Sequence, residues 1–203
     1  NQEPIFREVE GETPYLEFHL LADAGVVRHA FSTRLGGISK GCFSSLNLSF
    51  TRGDDKAVVR ENFRRIAAAI GVRCEDMAFS QQTHTTNVHV VTKDDKGMNA
   101  LHLMASPDAP SPSLPVRTDV DGLVTNVPGI CLVTFFADCV PLYFVDPVRR
   151  VIGLSHSGWR GTVGKIGKVT VERMRDVFGC DPKDILAAIG PSVCQECYEV
   201  SED

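Results

Sequence analysis

ICLVTFFADCVPLYFVDPVRRVIGLSHSGWRG, residues 130–161, decides how the chain is read. It holds three apolar, β-branched runs, at 130–136, 141–146 and 151–157. Short runs of this kind bounded by turn signals read as buried strands. Cys139 in ADCVP and His156 in SHSGWRG place metal-competent side chains at strand ends. A group at the point where a buried strand gives way to a loop is held rigidly yet reaches solvent.

Working outward, DGLVTN (121–126), NVHVVT (87–92) and DILAAIGP (184–191) read as further strands, and residues 5–32 suggest one or two more. A helix is expected after Asp54 or Asp55, which can cap it. Val58, Val59, Phe63, Ile66 and Ile70 line one face, and Gly71 ends it. A second helix is expected over 162–178, ahead of Asp181-Pro182. Residues 34–47, RLGGISKGCFSSLN, read as a Gly/Ser-rich loop. Residues 93–118 are rich in proline and break any regular element, so they read as a flexible surface excursion within the domain. Strands outnumber helices and no strict β-α-β alternation appears. The expected class is α+β, with one domain over 1–203.

The net charge of -5 argues against a nucleic-acid or anionic-membrane binder, since both need a basic surface. No apolar stretch approaches the roughly 20 residues that span a bilayer. The first residues, NQEPIFREVE, lack both a signal-peptide pattern and a starting Met, and the chain stops directly after a motif-like YEV. Residues are therefore expected beyond both ends. Seven irregularly spaced cysteines do not make a disulfide framework, and the expectation is a reduced, cytoplasmic protein whose cysteines are mostly small buried hydrophobes.

A third candidate ligand, His84 in SQQTHTTN, precedes the strand at 87–92. A zinc ion suits two neutral imidazoles and one thiolate, with a fourth position open. One thiolate leaves such a centre net positive, hence a Lewis acid. His84, Cys139 and His156 come from three distant segments, as in catalytic sites, whereas structural zinc shows paired short spacings. The competing reading is three ordinary residues, and spacing alone favours it. Asp138 beside Cys139, and Trp159 and Arg160 close to His156, weigh against it, because buried strand ends seldom carry such polar groups without a use. His19, His29, His89 and His102 read as ordinary structural residues. Cys194 and Cys197 form a lone CxxC with no second pair.

Two segments could take an anion. GWRGT runs into the expected second helix, whose N-terminal amides and early glycines suit a phosphate, and Arg160 adds a bidentate fork. The loop holding Arg34, Ser39 and Lys40 is a weaker candidate and matches no nucleotide-binding fingerprint.

The motifs FSTRLGGIS with SSLNL, the QxH of Gln82 to His84, DGLVT, ADCVPLYFVD, HSGWRGT and GPSVCQECYEV stand in the order of one family. From about residue 28 to 200 the chain resembles the bacterial laccase-domain proteins, once named multicopper polyphenol oxidases and later described as purine nucleoside phosphorylases. The resemblance implies a compact α-β-β-α sandwich of mixed sheets, and zinc ligands at His84, Cys139 and His156. It also implies phosphorolysis of adenosine, inosine, guanosine and methylthioadenosine, with adenosine deamination as a second reaction. Purine nucleosides and phosphate are then the partners. Asp138 and Arg160 are the implied catalytic residues, and Arg34, Ser39, Asn47 and Gln82 the implied substrate or phosphate contacts. The stretch before YEV departs from the family pattern, with Gln195 and Glu196 where Pro and Cys are usual.

Other chemistries remain open at this level. A copper polyphenol oxidase needs more imidazoles than a blue-copper site alone, and six histidines are few for it. A Cys-His hydrolase would use Cys139 as nucleophile and His156 as base. A metal-stabilised module could bind purines without turning them over.

Overall fold

The structure, a computed structural model, describes residues 4–100 and 116–199. Its class is α+β, with more strands than helices among the described residues. In chain order the strands are β1 (Phe6–Val9), β2 (Tyr15–Phe18), β3 (Phe31–Ser32), β4 (Met77–Phe79), β5 (Val88–Val90), β6 (Gly122–Thr125), β7 (Cys131–Val133), β8 (Val140–Asp146), β9 (Val151–Ser157) and β10 (Leu186–Ile189). The helices are α1 (His19–Asp23), α2 (Lys56–Ile70), α3 (Trp159–Val163) and α4 (Ile166–Phe178). The described residues form two compact units, one of 4–79, 91–100, 116 and 127–131, the other of 80–90, 117–126 and 132–199.

In the first unit β1, β2 and β3 form an antiparallel sheet in that order. Helix α2 begins where expected: the Asp55 carboxylate accepts the Ala57 amide at 2.6 Å. It ends at Gly71, whose φ of 76° is the left-handed conformation a C-cap needs. Val59, Phe63, Ile66 and Ala67 are its buried face. Ile66 packs in a cluster with Tyr15 and Leu46. On the same helix Asn62 is fully buried, and its amide binds the loop that precedes the helix. It accepts from the Ile38 amide at 2.9 Å and donates to the Asn47 carbonyl at 2.8 Å.

The second unit is built on a five-stranded sheet in the order β10-β8-β9-β6-β5, parallel only between β5 and β6. The β8–β9 hairpin runs from Val140 opposite Ser157 to Asp146 opposite Val151. Its turn is closed by the Asp146 carboxylate, which accepts the amides of Val148 and Arg149. Ile166, Thr170 and Met174 are the buried stripe of α4 at four-residue spacing. Met174 packs with Val124, Phe144 and Val151 of the sheet. Gly153 lets the helix approach, since a Cβ there would lie 3.2 Å from Thr170 Cγ2 and 3.3 Å from Met174 Sδ. The registers place the starts of β5, β6 and β8 and the end of β9 at one end of this sheet. That end matters most.

Several expectations need correction. The 130–136 run is strand only over β7, and 134–139 is a loop. The helix expected over 162–178 is two helices, broken at Gly164 and at Lys165 with its left-handed φ of 62°. Only Cys180 is buried; Cys42, Cys194 and Cys197 are exposed, and none of the seven cysteines is in a disulfide. Of the Pro-rich stretch, residues 93–100 are folded, with a 3-10 turn at Lys93–Asp95 and Met98 fully buried. Residues 101–115, His102 among them, lie outside the described residues.

Candidate metal centre

His156 is the penultimate residue of β9, and Cys139 immediately precedes β8. Because Pro141 pairs with His156 and Val140 with Ser157, the hairpin register carries Cys139 to the same sheet end as His156. His84 comes from the loop before β5, also at that end. One ligand atom from each of the three residues lies within 4.8 Å of the other two. Cys139 Sγ and His84 Nε2 are 3.9 Å apart, and the two imidazole rings meet edge to face at 4.9 Å. With Zn–N near 2.0–2.1 Å and Zn–S near 2.3 Å, a tetrahedral ion needs ligand atoms about 3.3–3.6 Å apart. Small side-chain adjustments bring the trio to that spacing, so the donor set fits a single cation.

The trio is framed by a residue the sequence reading passed over. Asp121, just before β6, has no solvent exposure. His156 Nδ1 donates to its Oδ1 at 2.8 Å, which leaves Nε2 of that ring to ligate. The amides of Thr83, His84 and Thr85 donate to the same carboxylate at 3.1, 3.0 and 2.8 Å, and Thr85 Oγ1 adds a bond of 2.9 Å. Burial works against the ionised form, yet the bonds from His156, Thr85 and Thr83 win, and Asp121 is brought down to about 2. His84 itself has a left-handed φ of 64°, held by these amide bonds. A carboxylate directly ahead of the GLV run of β6 was the available signal, because a buried charge of that kind demands partners.

Glycines complete the packing. A Cβ on Gly158 would sit 2.6 Å from His84 Cδ2 and 3.4 Å from Cys139 Sγ. Gly161 faces the Thr85 carbonyl, and a Cβ on Gly164 would meet Thr86 Cγ2 at 2.6 Å. In GWRGTVG these glycines recur every third residue and take the 84–86 loop against α3. The close approach they allow is occupied by this chain's own His84, Thr85 and Thr86.

Burial raises the Cys139 thiol, and the carboxylates of Asp138 and Asp121 raise it further. A nearby cation is what such a thiol needs in order to ionise near neutral pH.

A profile described as multi-copper polyphenol oxidoreductase laccase matches residues 28–203. A purine nucleoside phosphorylase of Deinococcus radiodurans is 43% identical over 87% of this chain and 61% of its own length. An adenosine deaminase RL5 from an unknown prokaryotic organism is 38% identical over 86% of this chain and 63% of its own. The crystal structure of YlmD from Geobacillus stearothermophilus superposes with a TM-score of 0.83 at 35% identity, covering 98% of this chain and 68% of that one.

The chain belongs to the laccase-like polyphenol oxidoreductase family. It spans about 61% of the length of the first curated relative that it matches.

The other residues singled out in this family member are distributed less simply. Asp138 is exposed beside Cys139, and its carbonyl accepts the Val193 amide at 3.0 Å. Arg160 is exposed on α3, with its guanidinium 4.4 Å from the Trp159 ring centroid. Gln82 is a brace: its amide donates to the Phe135 carbonyl at 2.6 Å and accepts the Phe135 amide at 2.8 Å. That pair ties the loop leading to Cys139 to the loop holding His84. Arg34, in the first unit, donates to the Ser44 carbonyl at 3.1 Å and lines a cleft of about 190 Å³ with Asn47, Cys42 and Phe43. Ser39 and Asn47 both donate to Asp54, at 2.7 and 3.0 Å. Those bonds organise the loop ahead of α2.

Proposed function

We propose that this chain carries the metal centre of a zinc-dependent purine nucleoside phosphorylase acting on adenosine, inosine, guanosine and methylthioadenosine. The convergence of His84, Cys139 and His156 carries the reading, and the names of the relatives supply the substrate class. Bound there, zinc supplies Lewis acidity that no side chain of the chain offers. The chain's own residues do the rest. His84 and His156 present neutral nitrogens, and Cys139 gives the one anionic ligand. Asp138, exposed next to Cys139, carries a proton to or from the purine as the glycosidic bond breaks. Arg160 holds phosphate for attack on C1 of the ribose. Arg34 and Asn47 line a polar cleft suited to the same substrates.

A second reaction, adenosine deamination, is favoured by the name of one relative. It would use the same ligands, with Asp138 shuttling the proton. The hydrolase reading is weaker: a nucleophilic cysteine needs a lowered pKa, and burial and neighbouring carboxylates push Cys139 the other way. The copper oxidase reading asks for further imidazole clusters. Among the described residues the one group of three or more metal-competent side chains is this trio.

The test is product analysis. With adenosine and phosphate the protein should release adenine and ribose 1-phosphate. Both Cys139→Ser and His156→Ala should lose that activity, and full retention in both contradicts the reading.

A further inference from the structure

We infer that Asp121 is the positioning residue of the metal centre. It fixes the tautomer of His156 and the placement of the His84 loop through one carboxylate, without ligating the ion itself. The inference rests on the metal reading above for its consequence, though not for its geometry.

The carboxylate is fully enclosed, and five donors from two segments converge on it. Oδ2 takes the Thr83 and Thr85 amides and the Thr85 hydroxyl. Oδ1 takes the His84 amide and His156 Nδ1. An ionised carboxylate only accepts, so His156 must carry its proton on Nδ1 and offer the Nε2 lone pair outward. The main chain reinforces the link, as the Asp121 carbonyl accepts the His156 amide at 2.7 Å. His84 and His156 are 72 residues apart by number, yet their relative position depends on this one side chain. Partners of metal-ligating histidines orient the ring and fix its tautomer, and losing one commonly costs ten- to a hundredfold in metal affinity.

Substituting Asp121→Asn changes little volume but swaps one acceptor for a donor. Three donors meet at Oδ2, so the amide oxygen settles there. Its NH2 then points at His156 Nδ1 and at the His84 amide. His156 Nδ1 must now accept, the ring proton moves to Nε2, and the ligating lone pair is lost. An analogous swap in the Ser-His-Asp triad is known to install the wrong tautomer.

Two readouts test this. The first is metal-free: nitrogen chemical shifts of His156 at pH 8 in the chelated protein should report the Nδ1–H tautomer for the parent chain and Nε2–H for Asp121→Asn. The second is chelator-competition affinity for zinc, with the visible spectrum of the cobalt-substituted protein. Affinity should fall ten- to a hundredfold and the cobalt bands should shift. Thr85→Val, which removes one donor and leaves His156 its partner, should keep the tautomer and weaken zinc by less. If Asp121→Asn does not fold, Asp121→Glu takes its place, and its longer carboxylate should keep the Nδ1–H tautomer while the displaced His84 loop lowers zinc affinity. The parent tautomer, affinity and cobalt spectrum in Asp121→Asn would overturn the inference, as would parent affinity in the substitute Asp121→Glu. A parent chain that binds neither zinc nor cobalt would instead remove the metal reading, leaving the tautomer result to decide the role of Asp121.

Discussion

Gly158 shows how much of the site depends on a side chain that is missing. Its φ of -68° is open to any residue, so space is what excludes larger ones there. The Gly158→Ala methyl would sit 2.6 Å from the His84 ring. The ring must move, and zinc affinity should drop about tenfold or more, as for disturbed ligand orientation; chelator competition measures it. Unchanged affinity would mean the His84 ring is free to move aside at no cost. Asp121 makes a second prediction, this one in pH. Its folded-state pKa, about 2, lies below the ordinary 3.8. Its stabilisation is therefore present above roughly pH 4 and is lost as the pH falls through 2. In chelated protein, the urea midpoint of the parent chain should fall across that window more steeply than that of Asp121→Asn. Parallel acid limbs would contradict it. At this scale the three side chains that converge were legible, because Cys and His next to apolar runs are conspicuous. Asp121 and Gly158 were not, since one works through hydrogen bonds from two remote segments and the other through the room it leaves.

Among the elements, the β8–β9 hairpin and α2 followed the sequence closely. Helix α2 has a cap, a face and a stop that are all local, and β9 occupies the expected 151–157 run in full. The run at 130–136 looked just as apolar, yet it is strand only to Val133. Beyond that point Gln82 takes the Phe135 amide and carbonyl, a competing partner that lies 53 residues away and is invisible to periodicity. The break between α3 and α4 likewise follows from the 84–86 loop lying against Gly161 and Gly164. Two substitutions separate local from distant control. Asp55→Ala should cost about 1 kcal/mol through the lost cap, read by denaturant unfolding with zinc affinity unchanged. Gln82→Leu should loosen the Cys139 loop and weaken zinc binding by more than it lowers stability. A Gln82→Leu protein with parent zinc affinity would leave the brace without a role at the site.

In the whole molecule, the two compact units are not consecutive stretches. The chain passes between them after residues 79, 90, 116, 126 and 131. Each unit is thus assembled from separated segments. The single-domain proposal predicts one cooperative transition, with fluorescence of Trp159 and far-ultraviolet dichroism giving the same midpoint; two separated transitions would count against it. The proposed chemistry depends on one cation held by His84, Cys139 and His156. X-ray absorption at the zinc edge of the loaded protein tests that most directly. One sulfur at about 2.3 Å and two imidazole nitrogens at about 2.0 Å are predicted, with the sulfur shell absent in Cys139→Ser. A first shell without sulfur in the parent protein, or a full complement of copper in place of zinc, would contradict it.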